Sequence, residues 1–426
     1  MNPSRSILAF LLCVLMFSNV MAASAAISIN IQDPSFQVER SEAYKQFMKQ
    51  YPKAKIHLKK NPDQQGNLFL QQQLVNQSED YDVFYTINMS NALKSIVGRG
   101  YYEPLQHEAE IEKYTQSMVP AVRKTVMQGD DLVLLPVDTY LPYVFMLNSD
   151  LLEKIGMSRD EIPKTFFDVL TFMKEWPDKY GGRFPEITPF HASVGNPLLE
   201  LRNFTAAYML RAYLYTMIAT GDPVRFDTPL FRRLLAETAF LTKSAKAELA
   251  MDDYMGDPPQ WHNTVFYMIW GSSPFYTPAM EIISPPPLAE GLPIVQPMSL
   301  VNAHLNPYRK AKDDALLWLS YQAKYPDPVV ARTLGLTDSP LEHPGLDPNK
   351  MPKDDYSRYR ISPKQIADYH ERLVPYLLIT GQSAVEAPGF LVQAEDLYIQ
   401  YLDGALPEEL FIQQLDNIIK LIDAEG

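Results

Sequence analysis

The stretch Leu132–Asn148, LVLLPVDTYLPYVFMLN, decides how the rest of the chain is read. Two apolar runs, Leu132–Leu135 and Tyr143–Leu147, flank the centre Pro136-Val137-Asp138-Thr139-Tyr140. Each run is short, bounded by Pro or Asn, and rich in Val, Tyr and Phe, which suits buried strands better than a helix. Pro136 and Pro142 lack the N–H that a central ladder needs, so one unbroken central strand is not expected. Two arrangements remain. The segment is either a strand–turn–strand in a single core, or an extended segment that leaves one sheet and enters another. The second would tolerate both prolines and would set Asp138 and Tyr140 where two domains meet, a usual position for a ligand cleft.

Working outward, 426 residues are too many for one comfortable core, and two domains are the natural expectation. A net charge of −13 leaves no basic stripe to neutralise phosphates, so nucleic acid is not expected as a partner. At the N-terminus Arg5 precedes the apolar run Ile7–Phe17 and the small residues Val20–Ala26. That order is a basic region, an export-length apolar region and cleavage options after Ala22 or Ala25, so residues 1–25 read as a signal peptide. An uncleaved anchor is the alternative, although the run is short for spanning. Cys13, the one cysteine, lies inside this run behind the bulky Leu11-Leu12, so it does not suit lipid attachment. The mature chain is therefore expected to be exported, cysteine-free and without a lipid anchor, disulfide or thiolate metal site.

Ile27–Ile31 alternates as a strand, Glu39–Tyr51 has helical spacing ended by Pro52, and Lys55–Leu58 is a second strand. A helix over Gly66–Gln77 leads to a third strand, Asp82–Ile87. Strand–helix–strand order points to an α/β layer with a parallel sheet. Further on, Thr165 with Asp168 makes a capping box, Thr228 caps a helix with Pro229 at its first position, and Val265–Trp270 is a strand. Gly181–Gly195 reads as an irregular connection, and Pro363–Gly381 and Ala394–Glu425 as helical.

The stretch YDVFYTINMSNALKSIVGRGYYEPL (81–105) resembles the strand–loop–helix of extracellular solute-binding proteins of the maltose-binding, family 1 type. LPVDTYLPYVFMLNSDLLEKIGM (135–157) is similar to that family's crossover, and IPKTFFDVLTFMKEW (162–176) to the helix that follows it. The tail YLDGALPEELFIQQLDNIIKLI (401–422) resembles the terminal helix, with Gly404, Glu408, Glu409, Leu410, Gln414 and Ile418 in place. One departure is Gln296-Pro297-Met298, where the family often has a Gly-Gly pair before the return strand Ser299–Leu305.

The resemblance implies an α/β, two-lobe periplasmic-binding-protein type II fold, each lobe a β-sheet flanked by helices, with hinge crossovers near Val137–Tyr140 and Gln296–Leu300. It implies lobe 1 over 26–137 and 299–335, and lobe 2 over 138–298 and 336–426. It further implies capture of a small solute, a carbohydrate or oligosaccharide, in the interlobe cleft by a monomer, and delivery to the transmembrane subunits of an ABC-type permease.

No HExxH, G-x-S-x-G, P-loop or GxGxxG pattern occurs, and His370-Glu371 lacks a second histidine at the required spacing. Neither cofactor nor metal is expected. A secreted carbohydrate-active enzyme, which needs two carboxylates facing each other, and a sensor component docking on a membrane receptor are the alternatives. A sugar cleft needs flat aromatic faces and carboxylates or amides for hydroxyl groups. By resemblance, Asp33, Phe36, Tyr85 and Asn88 are the candidates from lobe 1, and Asp138 and Tyr140 those from the crossover. Trp261 and Trp270 come from lobe 2 and Asn302 from the return strand. Each of them could instead serve packing or turn-capping.

Overall fold

The computed structural model of the chain describes residues 27–32, 38–59, 66–87, 97–105, 108–193, 201–239, 263–271, 281–326, 363–381 and 388–425. Residues 1–25, expected to be a signal peptide, and Asp33, Phe36, Asn88 and Trp261, lie outside the described residues. Among the described residues no helix is long and apolar enough to cross a membrane.

The first layer forms as its periodicity requires. Strand β1 (Ser28–Gln32) buries Ile29 and Ile31 and pairs in parallel with β2 (Lys55–Lys59) and β3 (Val83–Ile87). Between them α1 (Glu42–Gln50) starts at Ser41, whose hydroxyl accepts a hydrogen bond from the Tyr44 N–H and so satisfies one free donor of the first turn. α2 (Gly66–Val75) lays Leu70 and Leu74 beside Phe84. α3 (Ala109–Gln116) and α4 (Pro120–Val126) lead into a short ribbon, β4 (Met127–Gln128) with β5 (Asp131–Leu132).

The deciding stretch becomes one 13-residue strand, β6 (Leu135–Leu147), that changes partners midway. Leu135–Tyr140 pairs with β10 (Gln296–Leu305), and Leu141–Leu147 with β8 (Thr264–Gly271). Pro136 stands opposite Asn302, where the register shifts between Val301 and Asn302. Pro142 falls inside the second shift, between Leu141 and Val144. A proline is tolerated at such irregularities because no regular ladder bond is lost there. The segment that leaves one sheet for another is thus the arrangement adopted.

The resulting sheet has the order β2-β1-β3-β10-β6-β8-β7, with β7 (Thr188–Ser193) at its end, β11 (Leu377–Ile379) added to β10 and β9 (Glu281–Ile282) added to β6. On the far half, α5 (Ser149–Ile155) is capped by Asn148 and stopped by left-handed Gly156. α6 (Phe166–Trp176) carries the expected Thr165–Asp168 capping box. α7 (Leu201–Thr220), α8 (Pro229–Thr238), α11 (Pro388–Leu402) and α12 (Glu408–Glu425) complete the helical cover.

Two cores follow from this arrangement. The first surrounds Trp318 on α9 (Lys312–Lys324), which meets Phe47 edge-on at 5.3 Å between centroids. The second holds Phe145, Phe166, Tyr213, Phe231 and Tyr398. Alternation along β6 divides its far half between them, with Val144 and Met146 in the first core and Phe145 and Leu147 in the second.

Two elements depart from the sequence reading. Thr188–Ser193 is a strand inside the segment expected to be irregular, because pairing of Phe190 with Phe266 on β8 supplies the partner that a short run cannot announce alone. Leu377–Ile379 is likewise a strand, in a segment expected to be helical, where it pairs with Gln296–Met298. Tyr369 of α10 (Pro363–Arg372), Leu373 and Ile379 pack in the first core.

Candidate functional site

In open α/β sheets ligands gather beyond the carboxyl ends of the strands, and that edge of the first sheet lies at the β6 crossing. Gln32, the last residue of β1, is level with Phe84, and Thr86 near the end of β3 is level with Asn302. On β6, Asp138 stands opposite Val301, Thr139 opposite Leu300, Tyr140 opposite Ser299 and Leu141 opposite Gly271. The backbone therefore brings Asp138, Tyr140, Asn302 and the end of β3 together. Trp270, one residue before Gly271, arrives from the second half.

Side chains divide these candidates. The Asp138 carboxylate is half-buried, and its Oδ1 accepts a hydrogen bond from the Thr139 N–H at 2.7 Å. It faces Tyr114 of α3, whose hydroxyl donates to the Pro136 carbonyl at 2.6 Å and so ties the irregular turn of β6 to the first core. Burial first, and then the Asp138 charge, push the Tyr114 phenol far above its ordinary pKa, so it stays a donor.

Tyr85 is a packed residue as placed. Its ring lies in the first core, 4% exposed, and its hydroxyl accepts from the Trp318 indole N–H at 3.1 Å. Strand alternation turns Tyr85 to the face covered by α1 and α9, so its role as placed is packing. Asn302 is fully buried, beside Thr86.

The sequence reading missed a row of polar side chains on the other face. Gln32, Thr86, Thr139 and His304 are each at most 3% exposed, and Phe84 packs against the His304 ring at 5.4 Å. Their period-two placement in VFYTI (83–87) and SLVNAHL (299–305) was the available signal, but by itself it reads as a solvent-facing side.

A second cluster was also missed. Glu281 on β9, 8% exposed, accepts from Arg159 at 2.8 Å, from Arg372 of α10 at 2.6 Å and from the Ser149 hydroxyl at 3.1 Å. The hydrogen bond from Arg159, helped by Arg372 and Ser149, outweighs burial and holds the Glu281 carboxyl down to about 2. Arg372 also donates to the Ile282 carbonyl, so the cluster joins α10 to the second-half sheet. A groove of about 390 Å³, lined by residues including Lys164, Asp168, Phe172 and Tyr180, lies on the outside of α6. None of its lining residues belongs to the crossing. Among the described residues no cluster of three His, Cys, Asp or Glu side chains could hold a metal.

Residues 33–259, more than half of the chain, match the family model of bacterial extracellular solute-binding proteins. The chain belongs to that family. No curated relative matches its sequence. Among solved structures, the sugar-binding protein MalE of Xanthomonas citri is similar at a TM-score of 0.61 with 15% identity, over 93% of this chain and 98% of that one. Maltose-bound MalE3 of T. maritima follows at 0.58 and 16%, over 93% and 100%. A protein from a study of xylan utilisation by Caldanaerobius polysaccharolyticus superposes at 0.60 and 15%, over 92% and 100%. This solute-binding protein therefore has the two-lobe periplasmic-binding-protein fold, with the β6 crossing as one connection between its sheets. Its place of work, as for the family, is outside the cytoplasm.

Proposed function

We propose that this solute-binding protein captures a small carbohydrate in the cleft at the β6 crossing and hands it to the transmembrane subunits of an ABC-type permease, as a monomer and without catalysing a reaction. The observation that carries this reading is the partner change of β6 between Tyr140 and Leu141, which sets Asp138, Tyr140 and Trp270 on one crossing between two sheets. The X. citri neighbour is a sugar-binding protein and the T. maritima one holds maltose, and sugar binding comes to this chain as part of the proposal. On this reading the leader is cleaved after Ala22 or Ala25 and no lipid anchor is attached. Asp33, Phe36, Asn88 and Trp261 would complete the cleft. The lobe boundaries proposed from sequence are kept, except that the packing of Tyr369, Leu373 and Ile379 supports assigning 363–381 to the junction of the lobes.

The test is a thermal-shift screen of the mature protein against mono- and oligosaccharides, amino acids and polyamines. A ligand at a hundred times its Kd adds about 2.7 kcal/mol of stability, so a saccharide is expected to raise the midpoint, and Asp138→Ala to abolish that rise. Failure of every saccharide, or turnover of a glycan, overturns the reading.

A further inference from the structure

Little apolar surface holds α2 to the first sheet. Leu70 and Leu74 meet Phe84 in a small cluster of their own, bordered by the half-buried Tyr81 and Tyr101 and separate from both main cores. Val75, at the end of the helix, is half exposed. A helix of 10 residues is marginal by itself in water, so α2 depends on this contact.

The sheet face that carries Phe84 is otherwise polar. Direct cross-strand partners share a face, and alternate residues of one strand share a face. His304 opposes Phe84, Thr86 opposes Asn302, and Gln32 is level with Phe84. The His304 ring is fully buried, and neither of its nitrogens makes a hydrogen bond. Gln32 Oε1, Thr86 Oγ1 and, on α2 itself, Gln73 Oε1 are also buried without a partner. Such atoms cost free energy when water is removed, so this face gains less from being covered than an apolar one would. The opposite face of β3 and β10 belongs to the first core, through Val83, Tyr85, Val301 and Ala303. Lifting α2 is therefore the least costly way to wet His304.

The charges around the ring are already engaged. The sequence of α2, GNLFLQQQLV, has no ionisable side chain, and Tyr85 of β3 is turned away into the core. Asp82, two residues before Phe84, accepts from the Asn30 and Ala311 N–H groups. Tyr81, with Asp80 beside it, lies under Lys59 at 4.8 Å, and His57 of β2 is exposed. Arg309 donates to Glu103 and to the Asn306 carbonyl. Burial, only partly offset by the Leu305 backbone, lowers the His304 pKa to about 4 from 6.5. Below pH 6.5 a form with the ring in water binds a proton that the covered form does not, so that form gains population as the pH falls towards 4.

We propose that α2 is an acid-released cover: protonation of His304 lifts it from the first sheet while both cores stay folded. The solute reading is not needed for this. The device makes the first lobe responsive to the pH outside the cytoplasm, where the family works.

Hydrogen–deuterium exchange of the mature chain, corrected for intrinsic exchange at each pH, tests it, with α2 read against α9 of the first core. At pH 7.5 α2 is expected to be less protected than α9, and its exchange to change little in low urea, because a local opening exposes little surface. Between pH 7.5 and pH 5 its protection should fall roughly thirtyfold, the ratio that pKa values of 6.5 and about 4 set, and should stay insensitive to low urea. His304→Phe, which takes up no proton, should abolish that fall. Exchange of α2 in step with α9, with the same urea dependence at pH 5, would mean that α2 leaves only with the whole fold and would overturn the proposal. An equal fall in His304→Phe overturns it as well. Should His304→Phe not fold, the wild type decides alone: protection of α2 that stays level between pH 6.5 and pH 4 rejects the device, and a local, urea-insensitive fall over that range supports it.

Discussion

His304 is a buried group whose protonation bears on stability. It lies fully buried against Phe84, and burial lowers its pKa to about 4 from 6.5. Above pH 6.5 both the folded and unfolded chains hold it neutral, and it contributes nothing to pH dependence. As the pH falls from 6.5 towards 4 the unfolded chain takes up the proton and the folded chain does not, so stability falls. At pH 5 the loss from this residue should be about 2 kcal/mol relative to pH 7.5. Urea unfolding of the wild type and of His304→Asn at the two pH values checks this. The variant should show the shallower dependence, and equal slopes would show that His304 is protonated in the fold. Glu281 acts in the opposite range: held down to about 2, it supports the fold above the ordinary carboxylate pKa of 4.5 and loses that support only as the pH falls below it.

At the scale of elements, helix ends show how local chemistry positions the second lobe. The Thr165 hydroxyl accepts from the Asp168 N–H at 3.1 Å, while the Asp168 carboxylate accepts from the Thr165 N–H at 2.8 Å. This box fixes where α6 begins and so aims Phe166 and Phe167 into the second core. Thr165→Ala should destabilise the protein by about 1 kcal/mol, while Thr165→Ser should cost little. A midpoint unchanged in Thr165→Ala would mean that packing of Phe166 and Phe167 alone sets the helix start. The capping box and the Thr228 cap were legible in sequence because a cap is a local event, settled within four residues. β7 and β11 were not, because a strand of three to six residues forms only when a distant partner offers its edge.

For the whole molecule, the two lobes share more than the β6 crossing. The first core extends from Trp318 past Tyr369 and Ile379 to Val144, Met146, Tyr267 and Ile282, which lie on the second sheet. Arg372 adds a charged tie to Glu281 from the same helix as Tyr369. The lobes are therefore expected to unfold together. Two single-tryptophan variants, one keeping Trp318 and one keeping Trp176, should report coincident urea transitions, because one lies in each core. Arg372→Met leaves the nearly buried Glu281 carboxylate with less of its charge balanced and should cost about 3 kcal/mol. Its effect should also be to separate the two transitions. Coincidence that persists in Arg372→Met would assign the coupling to apolar packing alone.

What the sequence determined by itself was everything carried by short range. The alternation of SINIQ and VFYTI predicted strands, the prolines of LPVDTYLPYVFML left a segment between two sheets as one of two arrangements, and the ordered motifs pointed to the family and its fold. The tertiary structure alone decided which faces are buried. The alternating Thr86, Asn302 and His304 have the pattern of a wet sheet face, and they became a buried polar row because the face they occupy is covered. Tyr85, expected to touch a ligand, was turned into the core by the same alternation and met by Trp318, a residue 233 positions away. Period tells which residues share a side. Only the packing of distant segments tells whether that side meets water, a core or a ligand, because burial is a property of the whole chain and not of the strand.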